Sequence, residues 1–259
     1  MARHQLDTDL LDTLDPSRVM VRAGLTPDPW QAELLLSFAP RMLVLNARQS
    51  GKSLCAAALG LYEALYMPPA LVLLLSPSLR QSQELFRAVM MLYTQGGAVV
   101  PTVAQSALQV TFQNKSRIVA LPGESDSTIR GYSDVRLLVI DEAARVPDDL
   151  YRATRPMLAV SSSRGHGDGR SGRLVCLSTP FGRQGWFYEE WTSGADWVRT
   201  RVDAEACPRI SAEFLDEERR HLGDLAYKEE YGCEFVGTRE QFLSDDQISR
   251  IFMPLPKKG

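Results

Sequence analysis

Asn46-Ala47-Arg48-Gln49-Ser50-Gly51-Lys52-Ser53 stands between an apolar run, Met42–Leu45, and a segment of helical character from Lys52 to about Tyr66. A strand that feeds such a loop and then a helix brings backbone amides and a helix N-terminus together on one anion. Gly51 lets the backbone approach phosphates, Lys52 reaches the β- and γ-phosphates, and the Ser53 hydroxyl is suited to ligate Mg²⁺. The loop residues Asn46, Ala47, Arg48, Gln49 and Ser50 complete the cradle, so the whole stretch is assigned to nucleotide binding. The pattern G-x-x-x-x-G-K-[ST] fails only at its first position, where Asn46 replaces glycine; asparagine tolerates positive φ better than most residues.

Outward from this loop, short apolar runs alternate with longer helix-like segments, the pattern of a parallel sheet covered by helices. Strands are expected at Met42–Leu45, Leu71–Leu75, Leu137–Ile140 and Leu174–Leu177, each nearly continuous in Leu, Val and Ile, as burial on both faces requires. Helices are expected from Lys52 to about Tyr66, Arg80 to Tyr93, Asp148 to Leu158, Gly185 to Trp191 and Ala212 to His221. Gln109–Phe112 and Arg117–Leu121 flank a turn-like Gln113-Asn114-Lys115-Ser116 and read as a β-hairpin inserted in the α/β core. The small, polar and basic stretch from Ser161 to Arg173 reads as an exposed mobile loop, and Met253–Gly259 as a linker or frayed tail.

Two further strand ends carry chemistry. Val135-Arg-Leu-Leu-Val-Ile-Asp141-Glu142 closes an apolar run with adjacent acids, the first suited to orient a Mg²⁺ shell and the second to polarise an attacking water. Seen alone, such a pair would serve equally well as acids at a helix start. Leu174-Val-Cys-Leu-Ser178-Thr179-Pro180 ends in hydroxyls, at the carboxyl edge of a parallel sheet where a γ-phosphate can be sensed. A simple turn before Pro180 is the alternative.

The chain has 259 residues, 44% hydrophobic and 24% charged, an ordinary globular composition that excludes disordered and fibrous architectures. Its 29 Lys and Arg against 32 Asp and Glu leave a net charge of −3, so bulk charge does not announce a nucleic-acid partner. No apolar run approaches the ~20 residues of a membrane helix, and the N-terminus carries acids rather than an apolar signal core. Four cysteines without CxxC spacing and three isolated histidines argue for a reducing cytosol and against a zinc site.

In this order the motifs resemble the ATPase domain of the large terminase subunit of tailed bacteriophages. The resemblance covers most of the chain: Pro29-Trp30-Gln31, the Arg48–Ser53 loop, Ile129-Arg130-Gly131, Leu138–Ala144, Ser178–Gly182 and Tyr227–Phe235. It implies an ASCE-type P-loop NTPase fold, α/β with a mostly parallel central sheet and a small C-terminal lid-like subdomain. It implies a motor that hydrolyses ATP with Mg²⁺ to drive double-stranded DNA into a procapsid. By the same resemblance Gln31 contacts adenine, Lys52 and Ser53 bind phosphates and Mg²⁺, Asp141 holds the metal and Glu142 is the catalytic carboxylate. Ser178 and Thr179 couple hydrolysis to movement. Arg130 matches the position of an arginine finger directed at a neighbouring subunit, and Arg48 is a second, cis-acting cation; a solvated surface arginine is the alternative for Arg130.

The expected partners are DNA, bound without sequence preference and weakly by a monomer, the portal, the small terminase subunit and further copies in a pentameric ring. The expected location is the cytoplasm of the infected host, transiently docked on the procapsid. Residues 1–240 are read as the ATPase domain and 241–259 as a linker or tail, with no nuclease domain. Candidate DNA contacts are the loop Arg164–Arg173 and the hairpin cations Lys115 and Arg117, with a solvated loop as the alternative. Two other functions use the same motifs: a helicase-like nucleic-acid translocase, and a nucleotide-gated assembly module with little turnover.

Overall fold

The computed structural model describes residues 10–123, 131–164 and 172–237, the side chains of 159–164 excepted. Its centre is an eight-stranded sheet in the order β3-β4-β5-β2-β6-β7-β1-β8. The strands are β1 (Arg41–Asn46), β2 (Leu71–Ser76), β3 (Thr102–Gln105), β4 (Gln109–Phe112), β5 (Arg117–Pro122), β6 (Leu137–Asp141), β7 (Arg173–Ser178) and β8 (Val198–Val202). From β5 to β8 every neighbouring pair is parallel; β3 and β4 extend the β5 edge antiparallel. The expected hairpin is therefore present, and it lengthens one margin of the sheet.

The helices are α1 (Arg18–Arg22), α2 (Pro29–Leu36), α3 (Lys52–Tyr66), α4 (Leu79–Gln95), α5 (Asp148–Arg164), α6 (Gly185–Thr192), α7 (Ala212–Leu222) and α8 (Asp224–Glu230). Runs that look uniformly apolar in sequence separate by the two-residue period of a strand into two cores. Met42, Val44, Val72 and Leu74 face α3 and α4, whereas Leu43, Leu45, Leu73 and Leu75 join the core that contains Leu150 and Tyr151 of α5 and Trp186 and Phe187 of α6. Helix α3 lies close on the sheet at Gly60, where a Cβ would stand 3.2–3.3 Å from the Leu74 and Val72 side chains. On the opposite face the Tyr151 ring stacks on Trp186 at 3.8 Å between centroids, and the Trp186 indole N–H donates to the Val146 carbonyl at 2.9 Å.

Strand order fixes the functional rim. β7 is inserted between β1, which feeds the Asn46–Ser53 loop, and β6, which ends in Asp141. Leu45 lies beside Ser178, and Asp141 beside Leu177, so the three strands finish level with one another. The α7–α8 pair forms a small C-terminal unit, and the chain beyond it returns to the sheet edge. There Ala204 N–H donates to the Tyr231 carbonyl at 2.9 Å, and the Cys233 thiol donates to the Val202 carbonyl at 3.2 Å. All four cysteines are buried and free, and burial pushes the Cys233 thiol up to about 12.

The stretch from Ser161 to Arg173 corrects the sequence reading. Its first residues continue α5 through Arg164, and Arg173 opens β7 at only 2% exposure. Arg173 is not a solvated cation: its Nη1 donates to Glu63 Oε1 at 2.9 Å and its Nη2 to the Ser37 carbonyl at 2.7 Å. Glu63, itself 1% exposed, also accepts from Arg136 Nε at 3.2 Å. The counter-ion lies on α3, where local composition cannot reveal it. Residues 165–171, Arg130 and the tail 241–259 lie outside the described residues.

Candidate functional site

The Asn46–Ser53 loop leaves β1 fully buried and turns sharply enough to need left-handed backbone at Gln49 (φ 60°) and Gly51 (φ 90°). At Gly51 a side chain is excluded twice over. Its φ suits glycine, and a Cβ would stand 2.7 Å from Arg209 Nη2 and 2.9 Å from Gln31 Nε2. Lys52 is the first residue of α3, so the loop amides and the helix N-terminus share one end of the sheet.

At that end the acids meet the loop. Lys52 Nζ lies 2.8 Å from Glu142 Oε1, and Ser53 Oγ donates to Asp141 Oδ2 at 2.7 Å. Burial pushes the Asp141 carboxyl above the usual carboxylate range; the Lys52 ammonium opposes this, while the Glu142 charge adds to it. Glu142 itself sits in left-handed backbone (φ 53°, ψ 42°), a conformation that costs a non-glycine residue stability and is concentrated at functional sites.

The residues present fit a magnesium-bound triphosphate. Among the described residues, the Asn46 side-chain amide and the Ser50 hydroxyl are buried without a hydrogen-bond partner, a cost that an incoming polar group relieves. The oxygen donors Ser53 and Asp141 suit a hard divalent cation, and Lys52 suits phosphate.

Other expected residues are placed as follows. Ser178 Oγ is buried and accepts from the Ala144 N–H at 3.1 Å, and Thr179 Oγ1 accepts from Arg145 Nη1 at 2.8 Å. Both hydroxyls thus engage the turn that follows Glu142. Gln31 is fully buried beside the loop: its Oε1 accepts from the Asp28 N–H at 2.8 Å, capping α2, and its Nε2 donates to the Gly51 carbonyl at 3.3 Å. One end of its amide braces the loop and the other caps α2. The Arg48 side chain is 62% exposed and lies 3.7 Å from Glu230, while its N–H donates to the Glu230 carbonyl at 2.7 Å. Ala47 N–H donates to Val202 of the neighbouring strand at 2.8 Å. Lys115 is exposed and Arg117 lies 5.9 Å over the Tyr132 ring, both at the far end of the parallel strands. Strand rise alone separates them from the nucleotide rim by roughly 20 Å.

Three contributors were not foreseen. Arg145 bonds Glu142 Oε2 at 2.8 Å as well as Thr179. Arg209 donates to Asp28 Oδ2 and to the Ser50 carbonyl, both at 2.7 Å, closing on the loop from the C-terminal side. Glu229 accepts from the Gly182 N–H at 2.7 Å, so one short helix touches both the phosphate loop, through Glu230, and the segment after β7. Arg145, three residues beyond the second acid, and Glu229, inside the Tyr227–Phe235 stretch, carried a local signal that could have been used; Arg209 carried none.

A family model described as "Terminase large subunit, T4likevirus-type, N-terminal" matches residues 43–250. The large terminase subunit of Thermus phage G20c is 26% identical over 272 residues, covering 91% of this chain and 54% of that protein. The chain therefore spans about half the length of the curated relatives it matches. Among solved structures, the large terminase ATPase domain of Thermus phage P74-26 superposes with a TM-score of 0.71 at 23% identity, over 86% of this chain and all of that one. The large terminase of a second thermophilic bacteriophage, solved in complex with ADP, gives 0.64 at 13% identity, over 81% of this chain and 53% of that one. These likenesses establish the fold: an α/β P-loop architecture with a mostly parallel sheet.

Proposed function

Because the chain belongs to the family of T4likevirus-type large terminase subunits, matching their N-terminal part, we propose that it is the ATP-hydrolysing motor portion of a machine that packages double-stranded DNA. The observation that carries this reading is the meeting of Lys52 with Glu142 at 2.8 Å and of Ser53 with Asp141 at 2.7 Å. A phosphate-binding lysine, a metal-holding pair and a further carboxylate on one rim are what phosphoryl transfer to water requires. The ADP complex of the thermophilic-phage relative supports the choice of an adenine nucleotide.

In this reading Lys52 and the amides of Ala47–Ser53 hold the β- and γ-phosphates, and Ser53 and Asp141 hold Mg²⁺. The metal, when bound, neutralises charge shared by the phosphate oxygens. Glu142 orients the attacking water and accepts its proton; Lys52, drawn to phosphate, releases the carboxylate to do so. Gln31 and Arg209 keep the loop in its cradle shape from the side where the base would lie. Arg48 supplies a further cation from the same loop.

The partners proposed with this reading are DNA bound without sequence preference, the portal, the small terminase subunit and further copies in a pentameric ring. The place of action proposed with it is the cytoplasm of the infected host, on a procapsid. Among the described residues no helix is long and apolar enough to cross a membrane. Arg130 is assigned to a neighbouring subunit's nucleotide. Mixing Arg130→Ala with Glu142→Ala subunits is expected to restore part of the lost hydrolysis in an assembled ring, and a complete lack of complementation would reject the trans role.

The direct test is binding of a fluorescent ATP analogue with Mg²⁺, alongside phosphate release. Lys52→Ala is expected to weaken binding by roughly 100-fold or more, since a charge-assisted contact to phosphate is lost from a partly buried site. Analogue binding that is equal in the wild-type chain and Lys52→Ala would reject the reading.

A further inference from the structure

Glu142 is held by two cations, and they are not equivalent. Lys52 Nζ meets Oε1 and Arg145 Nη1 meets Oε2, each at 2.8 Å. Lys52 belongs to the phosphate loop and has a competing anion to serve. Arg145 belongs to the same 3₁₀ turn as the carboxylate it binds, Ala143–Arg145, with Glu142 as its cap. Side chains three residues apart eclipse one another in such a turn, so the Glu142 and Arg145 side chains are neighbours by local geometry alone. The backbone reinforces the pairing, with the Arg145 N–H donating to the Glu142 carbonyl at 2.9 Å.

The remaining contacts of Arg145 are made to the segment that follows β7. The same Nη1 donates to Thr179 Oγ1 at 2.8 Å, and the guanidinium lies 5.0 Å over the Phe181 ring. Arg145 is therefore fixed to the segment that follows β7, not to the loop that receives nucleotide. Its side chain is 30% exposed, so the pair with Glu142 is only partly screened by solvent.

From this asymmetry we infer that Arg145 is a positioning residue: it retains Glu142 when Lys52 turns to phosphate, and it makes the place of that carboxylate depend on Thr179. The inference rests on the hydrolase reading above. Without Arg145, a carboxylate abandoned by Lys52 would face a triphosphate of like charge with no cation to hold it, and would swing away from the attacking water. A displacement of about 1 Å at such a group can cost roughly 100-fold in rate. Thr179 gains a defined task from the same geometry: movement of the strand end reaches the catalytic carboxylate through one guanidinium.

The experiment uses the whole chain with Mg–ATP, measuring kcat and KM by phosphate release and affinity with the fluorescent ATP analogue. Arg145→Ala is expected to lower kcat by about 30- to 100-fold, with KM and analogue affinity changed less than about 3-fold. Arg145→Lys, which keeps the charge but not the fork, is expected to recover about 10-fold of that loss. Thr179→Val is expected to lower kcat by about 3- to 10-fold alone and to add nothing to Arg145→Ala, because the two residues act through one contact. Arg145→Ala with kcat within about 2-fold of wild type overturns the positioning role, and losses that multiply in the double variant overturn the link to Thr179. If Arg145→Ala does not fold, the Lys variant decides: a kcat no better than that of Glu142→Ala rejects the role of the charge. A wild-type chain that releases no phosphate even in an assembled ring defeats the hydrolase reading and this inference with it, which separates that outcome from the others.

Discussion

Glu142→Gln is expected to abolish ATP hydrolysis, with a loss of about 10³-fold or more, while leaving nucleotide binding intact or tighter. The amide keeps the shape of the side chain but cannot accept the proton of an attacking water, and general-base catalysis alone accounts for about 10²–10⁴-fold. Electrostatic alignment of the water is weakened in the same step, so the loss falls in the upper half of that range. The direction expected for binding follows from the geometry. Glu142 holds Lys52 at 2.8 Å, so nucleotide must draw the ammonium away from a partner that the substitution weakens. Phosphate release within about 10-fold of wild type in Glu142→Gln, measured beside analogue binding, would remove Glu142 from the catalytic role.

Glu63→Ala is expected to lower the melting temperature by roughly 10 °C or more and to leave much of the chain unfolded at physiological temperature. Glu63 stands between Arg136 and Arg173, and all three side chains are at most 3% exposed. Deleting one member of a buried ionic cluster costs about 3–5 kcal/mol, because it strands buried charge that water cannot reach. A domain of this kind has about 5–15 kcal/mol in total, so the loss is a large fraction of it. The exposed Arg87–Glu84 pair, by contrast, is worth at most about 1 kcal/mol. Glu63→Gln keeps the volume and two hydrogen-bonding atoms, and is expected to cost less than the alanine variant. Glu63 lies more than two turns along α3 from Lys52, so any folded fraction is expected to bind the ATP analogue normally. A melting temperature within about 2 °C of wild type would show that the cluster contributes nothing net.

Much of the parallel core was legible without coordinates. The runs around Leu43, Leu73, Val139 and Val175 are apolar at every position, and only strands covered on both faces need that. The hairpin at 109–121 was legible for another reason, a polar turn between an alternating segment, Gln109–Phe112, and an apolar one, Arg117–Leu121. β8, Val198-Arg-Thr-Arg-Val202, was not anticipated: it lies at the sheet margin, where one side pairs with β1 and long charged side chains are tolerated. β3 escaped notice for the same reason, being exposed at all four positions.

The sequence by itself singled out the Asn46–Ser53 loop, the Asp141–Glu142 acid pair and the hydroxyl-ended strand, since each is a contiguous string whose chemistry depends on neighbours a few residues away. Tertiary structure alone decided who partners whom. Arg173, basic and set beside a run of small polar residues, became a buried counter-ion because Glu63, 110 positions earlier on α3, meets it directly. Arg209 reaches the loop carbonyl of Ser50 over a separation of 159 residues, and Asp28 over 181. Local pattern records which way a side chain must face to be buried or solvated. The sign and distance of the charge it then meets depend on how separate strands are ordered in the sheet, and here that order places β7 between the loop and the acids.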